Sequence, residues 1–169
     1  ARAARAESPR TVDGFELVGS LGYTIADRDL THNDKKIDPF GVLLGLDFGY
    51  TFPFGLRLGT DASYGFGRTI ESTNWKGEVS TTDTSSFAWG ASVGYDLMLS
   101  SSFRLRGAAD AGLLVFFYKD EGEAGVGMYV GPKVALIWQS RAFEVGLQSR
   151  WLMFYPGSLQ AGLMGGARF

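Results

Sequence analysis

The sequence predicts an all-β protein, an eight-stranded antiparallel up-and-down transmembrane β-barrel, and three observations carry that expectation. Apolar and polar residues alternate over eight separate stretches with the period of two that a strand imposes on its side chains. The connections between these stretches alternate between short turns and longer polar loops, save the short last one at Pro156 and Gly157, as they do when the two ends of a barrel face different compartments. The last stretch stops in mid-strand on an aromatic, Phe169. Such a strand must pair on both sides or leave a row of bare backbone groups, and pairing it with the first strand removes every edge.

The chain of 169 residues suits one domain. It has no cysteine, so neither a disulfide framework nor a thiolate metal site can be built. Twenty-four glycines and 14% aromatic residues, against five prolines, indicate β-structure rather than disorder, which goes with few aromatics. Sixteen basic and 18 acidic side chains give no global field for attracting nucleic acid, and no such partner is expected. The longest apolar block runs only from Leu113 to Tyr118, far short of the roughly 18 residues a spanning helix requires. Barrel strands of about 9 to 11 residues need only half their positions apolar, so they escape that exclusion. The first residues lack the apolar core of a signal peptide, and the chain is read as mature.

Residues 1–13, with Arg2, Arg5 and Arg10, read as a flexible basic arm ahead of a barrel spanning 14–169. The first strand, 14–26, places Phe15, Leu17, Leu21 and Tyr23 opposite Glu16, Val18 and Thr24. A charged loop, 27–39, holds the single His. The second strand, 40–52, has the clearest alternation, with every position from Phe40 through Leu46 to Phe52 on one face apolar or aromatic. Pro53, Phe54 and Gly55 turn the chain into the third strand, 56–68. Residues 69–85, rich in Thr, Ser and charge, read as the longest loop. The fourth strand, 86–99, and the fifth, 103–118, flank a turn of three serines. A short acidic loop, 119–124, leads to the sixth strand, 125–138. The seventh covers 143–155, and Pro156 and Gly157 return the chain to the eighth.

A soluble eight-stranded barrel would turn its apolar face inward, so the direction of the faces needs an argument. Here the apolar face carries most of the bulk and the polar face most of the strand glycines. An eight-strand lumen is filled by its own side chains, so small and polar residues belong inside and the bulky face outside, against lipid. Aromatics gather at both strand ends in two belts: Phe48, Tyr50, Phe52, Tyr95, Phe103, Trp138, Phe143 and Phe169 toward the short turns, and Tyr23, Tyr64, Phe66, Phe87, Trp89, Phe117, Trp151 and Tyr155 toward the loops. The inward positions then hold six acids, Glu16, Asp47, Asp61, Asp96, Asp110 and Glu144, and six bases, Arg57, Arg104, Arg106, Lys133, Arg150 and Arg168. Charges in a narrow lumen are costly unless paired, so equal numbers predict an internal salt-bridge network. A gated ion path is the other use of such charges, but mixed sign gives little selectivity.

The fifth strand turns Gly107, Ala109 and Ala111 outward at mid-height, and its neighbours add Pro132 and Ser149. Small residues permit close approach between membrane proteins, so this stripe is a candidate contact for a membrane partner; the alternative is that it simply faces lipid.

With its strand pattern, strand count and terminal Phe169, the chain resembles the small OmpA-, OmpX- and OmpW-like outer-membrane barrels of Gram-negative bacteria, over residues 14–169. The resemblance implies that Phe169 is the signal read by the barrel-insertion machinery, although Met164 and Ala167 depart from the family's closing strand. It also implies an outer-membrane location with periplasmic termini, and outer-membrane lipid and lipopolysaccharide as surroundings. Two lipid A-modifying families of similar size invite comparison. The palmitoyltransferases use a His, an Asp and a Ser from surface loops, and His32, Asp83 and Ser85 or Ser86 offer those types at different spacing. The deacylases need a His and a Ser two apart, but Asn33 and Asp34 follow His32. No catalytic residue, cofactor or metal is therefore assigned. The expected role is a non-enzymatic structural or interaction protein, acting through loops 27–39 and 69–85 or as a subunit of an envelope assembly. A narrow channel for small solutes and a lipid A-modifying enzyme are the alternatives.

Overall fold

A computed structural model describes residues 13–26, 35–37, 40–73, 76–119, 124–140, 142–153 and 158–169. They form β1 (Gly14–Ala26), β2 (Lys35–Ile37), β3 (Phe40–Thr51), β4 (Leu56–Thr73), β5 (Val79–Met98), β6 (Phe103–Tyr118), β7 (Ala124–Gln139), β8 (Phe143–Leu152) and β9 (Ser158–Arg168). All pairings are antiparallel. The order β4-β3-β1-β9-β8-β7-β6-β5 returns on itself through β4–β5, so eight strands close a barrel, and short β2 lies beyond the rim beside the far end of β4.

The closing seam joins β1 to β9 from Glu16↔Arg168 to Ala26↔Ser158. Past its end, the Phe169 N–H donates to the Phe15 carbonyl at 2.9 Å and the Phe15 N–H to the Phe169 carbonyl at 3.3 Å. Gly14 makes this possible: its φ is +132°, and a Cβ there would stand 2.6 Å from the Phe169 carbonyl oxygen.

Alternation sorts the side chains as the sequence predicts. Leu44, Leu46 and Phe48 of β3 are exposed while Leu43 and Asp47 are buried, and the same inversion runs round the barrel. A soluble protein hides its large apolar residues; this one displays them and buries its charges. The interior also contains two apolar groups, Val18, Ala135, Ile137 and Met164 in one and Ala88, Leu114, Tyr129 and Leu152 in the other.

Three regions differ from expectation by more than a residue at a strand end. Residues 69–85 are mostly not a loop: β4 continues to Thr73 and β5 starts at Val79, paired from Arg68↔Thr84 to Thr73↔Val79 as a protruding hairpin. Apart from Ile70 and Val79 its paired residues are polar on both faces and so show no hydrophobic period, yet β-branched Thr favours strand conformation. Lys35–Ile37 pairs with this extension, placing a strand inside the expected loop 27–39. The seventh predicted strand ends as β8 at Leu152, with a single further bridge from Met153 to Val130. Residues 1–12, with the three arginines, and residue 155 lie outside the described residues.

Because the ladder of the hairpin runs on past the strands that close the barrel, replacing residues 72–80 by Asn-Gly between the paired Glu71 and Thr81 should leave the barrel folded. Unheated gel mobility and far-UV circular dichroism check this; loss of the compact, heat-modifiable band would show that the barrel needs the hairpin.

Candidate functional site: the charged lumen

Strand register sets charges of like sign side by side. Asp47 of β3 lies opposite Asp61 of β4, and Lys133 of β7 opposite Arg150 of β8. Like charges directly across a ladder repel, so each pair needs relief from elsewhere. It comes from the far wall: β3 and β7 stand four strands apart in the ring of eight, as do β4 and β8. Lys133 Nζ reaches Asp47 Oδ2 at 2.7 Å, and Arg150 Nη1 reaches Asp61 Oδ2 at 2.8 Å. Two parallel bridges thus span the lumen.

Toward the short turns, Glu16 is the hub. It is fully buried and its carboxylate accepts from Arg57 at 3.3 Å, Arg104 at 2.6 Å, Arg106 at 2.6 Å and Arg168 at 2.5 Å. Asp96 takes Arg104 and Arg106 at 2.7 Å each, Glu144 takes Arg104 and, at 3.4 Å, Arg168, and Asp47 adds Arg57 to its Lys133. Arg57 also donates to Ser92 Oγ at 3.4 Å. Four carboxylates here hold five cations. Toward the loops, Arg150 serves both Asp61 and Asp110, the latter at 2.9 Å, donates to the Tyr129 hydroxyl at 2.6 Å and lies 4.7 Å from the centre of that ring. This end carries one more acid than base, so the two layers are neutral only together.

The polar-face glycines make room for these groups. A Cβ on Gly49 would come within 2.4 Å of Arg57 Nη2, and one on Gly59 within 2.6 Å of Nη1. Between the layers, beside Asp47, Asp61, Ser63, Lys133 and Arg150, lies a cavity of about 30 Å³, the scale of one or two waters.

All twelve predicted lumen charges point inward: eleven are buried and Arg168 is half-buried. The predicted outward stripe is outward, with Gly107, Ala109, Ala111, Pro132 and Ser149 all exposed and Ala109 paired with Pro132. The β7–β8 ladder stops at Lys133↔Arg150 and resumes only at the Val130–Met153 bridge, the interruption expected where proline lacks an N–H. Phe169 is exposed at the short-turn rim. The catalytic comparison gains nothing: Asp83, Ser85 and Ser86 sit on β5 rather than in a loop, Asp83 is 3.8 Å from Lys119, and His32 lies outside the described residues. Tyr129 and Ser92 are partners that the charge pattern alone misses; their place on the same inward parity as Lys133 and Asp96 was the available signal.

Glu16→Gln should strip four arginines of their common partner, and leaving buried charges uncompensated costs about 3–5 kcal/mol. Urea unfolding of the barrel in lipid vesicles should show that loss as a lower midpoint, and an unchanged midpoint would remove Glu16 from the centre of the network.

No protein-family model matches the sequence, and no curated protein matches it either. Among solved structures, Neisserial surface protein A superposes with a TM-score of 0.68 at 15% identity, over 92% of this chain and 97% of that one. Ail, the attachment invasion locus protein of Yersinia pestis, was solved in complex with the heparin analogue sucrose octasulfate; it superposes with a TM-score of 0.62 at 10% identity, over 92% and 97%. A second structure of Ail gives 0.57 at 14%, over 93% and 99%. This chain has the fold of the small eight-stranded outer-membrane β-barrels.

Proposed function

We propose that the chain is an integral outer-membrane barrel of a Gram-negative bacterium with periplasmic termini and a lumen plugged by charge, and that it works without catalysis by presenting its loop-side end to protein partners. The observation that carries this reading is the pair of opposed faces: a continuous apolar exterior around an interior spanned wall to wall by ion pairs. The exterior fits lipid in detail. Phe15, Tyr50 and Phe52 form a chain of ring contacts at 4.9 and 5.0 Å at the short-turn belt. Outward Thr60 donates to the Gly90 carbonyl at 2.7 Å and accepts from the Trp89 indole at 3.1 Å, so its hydroxyl needs no water. Among the described residues the lumen is lined by charges of both signs, paired across it, which argues against the narrow-channel alternative. The hairpin of β4 and β5, together with residues 27–39, supplies the display surface.

The first test is planar-bilayer recording of the purified chain: no steady current beyond the bare bilayer is expected, and a reproducible unit conductance would favour the channel. A second reading, membership of an envelope assembly through Gly107, Ala109 and Ala111, draws on the interrupted ladder at Pro132. Ala109→Trp should release the chain from any large complex recovered by gentle detergent extraction, while a complex of unchanged size would count against this surface.

A further inference from the structure

On the outer face at the loop end, β4, β5 and β6 leave an open cleft of about 480 Å³. Its origin is a fault in the ladder. Pairing between β4 and β5 slips between Gly65 and Arg68, so Ser86 faces Gly65 and Thr84 faces Arg68 while Ser85 has no opposite residue on β4. Gly67, at φ +76°, bulges clear, with no atom within 4 Å of where its Cβ would stand. Ser85 is also the small outward residue in an aromatic belt: Phe117 sits opposite it on β6, and Tyr64 and Phe66, their rings 6.2 Å apart, stand across the notch. Above this apolar trough the rim turns polar, with Thr69, Asp83 and Lys119. The Lys119 N–H donates to the Asp83 carbonyl at 3.1 Å, fixing the rim, whereas its ammonium is highly exposed and only loosely held by the Asp83 carboxylate at 3.8 Å.

We propose that this cleft binds one phosphorylated glycolipid of the outer leaflet, with an acyl chain in the trough against Tyr64, Phe66 and Phe117 and a headgroup phosphate on Lys119. The inference rests on the membrane reading above, which puts the loop end in the outer leaflet. The volume falls in the range of ordinary ligand sites. The change from aromatic floor to charged rim occurs at the aromatic belt, where chain gives way to headgroup in a bilayer. A bulge and a small residue, in place of the regular ladder and an aromatic, are the two departures that open the site.

The test is native mass spectrometry of the full chain in detergent, with lipid A and phosphatidylglycerol as competing probes, after flotation with lipid vesicles. A single lipid A adduct is expected in preference to phosphatidylglycerol. Ser85→Trp, which fills the trough, should abolish it, and Lys119→Ala should weaken it about fivefold, the contribution of one basic residue near an anionic surface. Should Ser85→Trp lose its heat-modifiable mobility, Phe117→Ala replaces it and must likewise reduce the adduct. Equal lipid A retention by wild type and the trough variants would overturn the site, and so would equal retention of both lipids. Failure to float with vesicles would sink the membrane reading itself, whereas flotation without an adduct would sink only the cleft.

Discussion

Pairing of charge across a narrow lumen is the constraint on which the rest of this structure depends. The bridges join residues far apart in sequence: 90 positions separate Glu16 from Arg106, 86 separate Asp47 from Lys133, and 89 separate Asp61 from Arg150. None of these three can form within one hairpin, unlike Asp47 with Arg57 or Asp96 with Arg104 and Arg106, so the network is complete only in the closed barrel. Buried ion pairs seldom add net stability, because desolvation offsets much of the attraction. Their stronger effect is on specificity. A slip of one residue in any ladder turns a strand's charges to the outside and its leucines to the inside, an error the network penalises at every strand that carries a charge.

The two faces of the wall therefore have different tolerances. Inside, Gly49 and Gly59 exist for the guanidinium of Arg57, and the apolar pairs Val18 with Met164 and Leu114 with Tyr129 fill what the charges leave. Outside, side-chain size is nearly unconstrained, and departures from large and apolar stand out: the stripe at Ala109, the proline at 132 and the notch at Ser85. In the proposed reading, those departures are where the barrel meets something other than bulk lipid. The polar hairpin then extends the wall beyond the aromatic belt.

Much of this was legible in the sequence, and the limits have physical causes. The bounds of β1 and β6 agree with the hydrophobic alternation at both ends, since one face of each is uniformly apolar. The inward charges follow from parity alone. Even Asp47 opposite Asp61 is implied by a tight turn centred on Phe54, because an antiparallel register unwinds symmetrically from its turn. The cross-lumen partners are not implied, since they depend on how strands stagger around a closed ring, which no local pattern encodes. The hairpin beyond Arg68 escaped because a strand with polar residues on both faces has no apolar period, and the cleft escaped because a bulge shifts the parity on which the reading relies.

The inside-out arrangement is the central claim, and spin labels placed singly from residue 42 to 50 along β3, in lipid vesicles, test it most directly. Oxygen, which concentrates in lipid, should relax labels at Leu44, Leu46 and Phe48 strongly, while labels at Leu43, Gly45 and Gly49 should be shielded from it, giving a period of two. The opposite phase, with positions 43, 45 and 49 open to oxygen, or the absence of any period, would contradict the account.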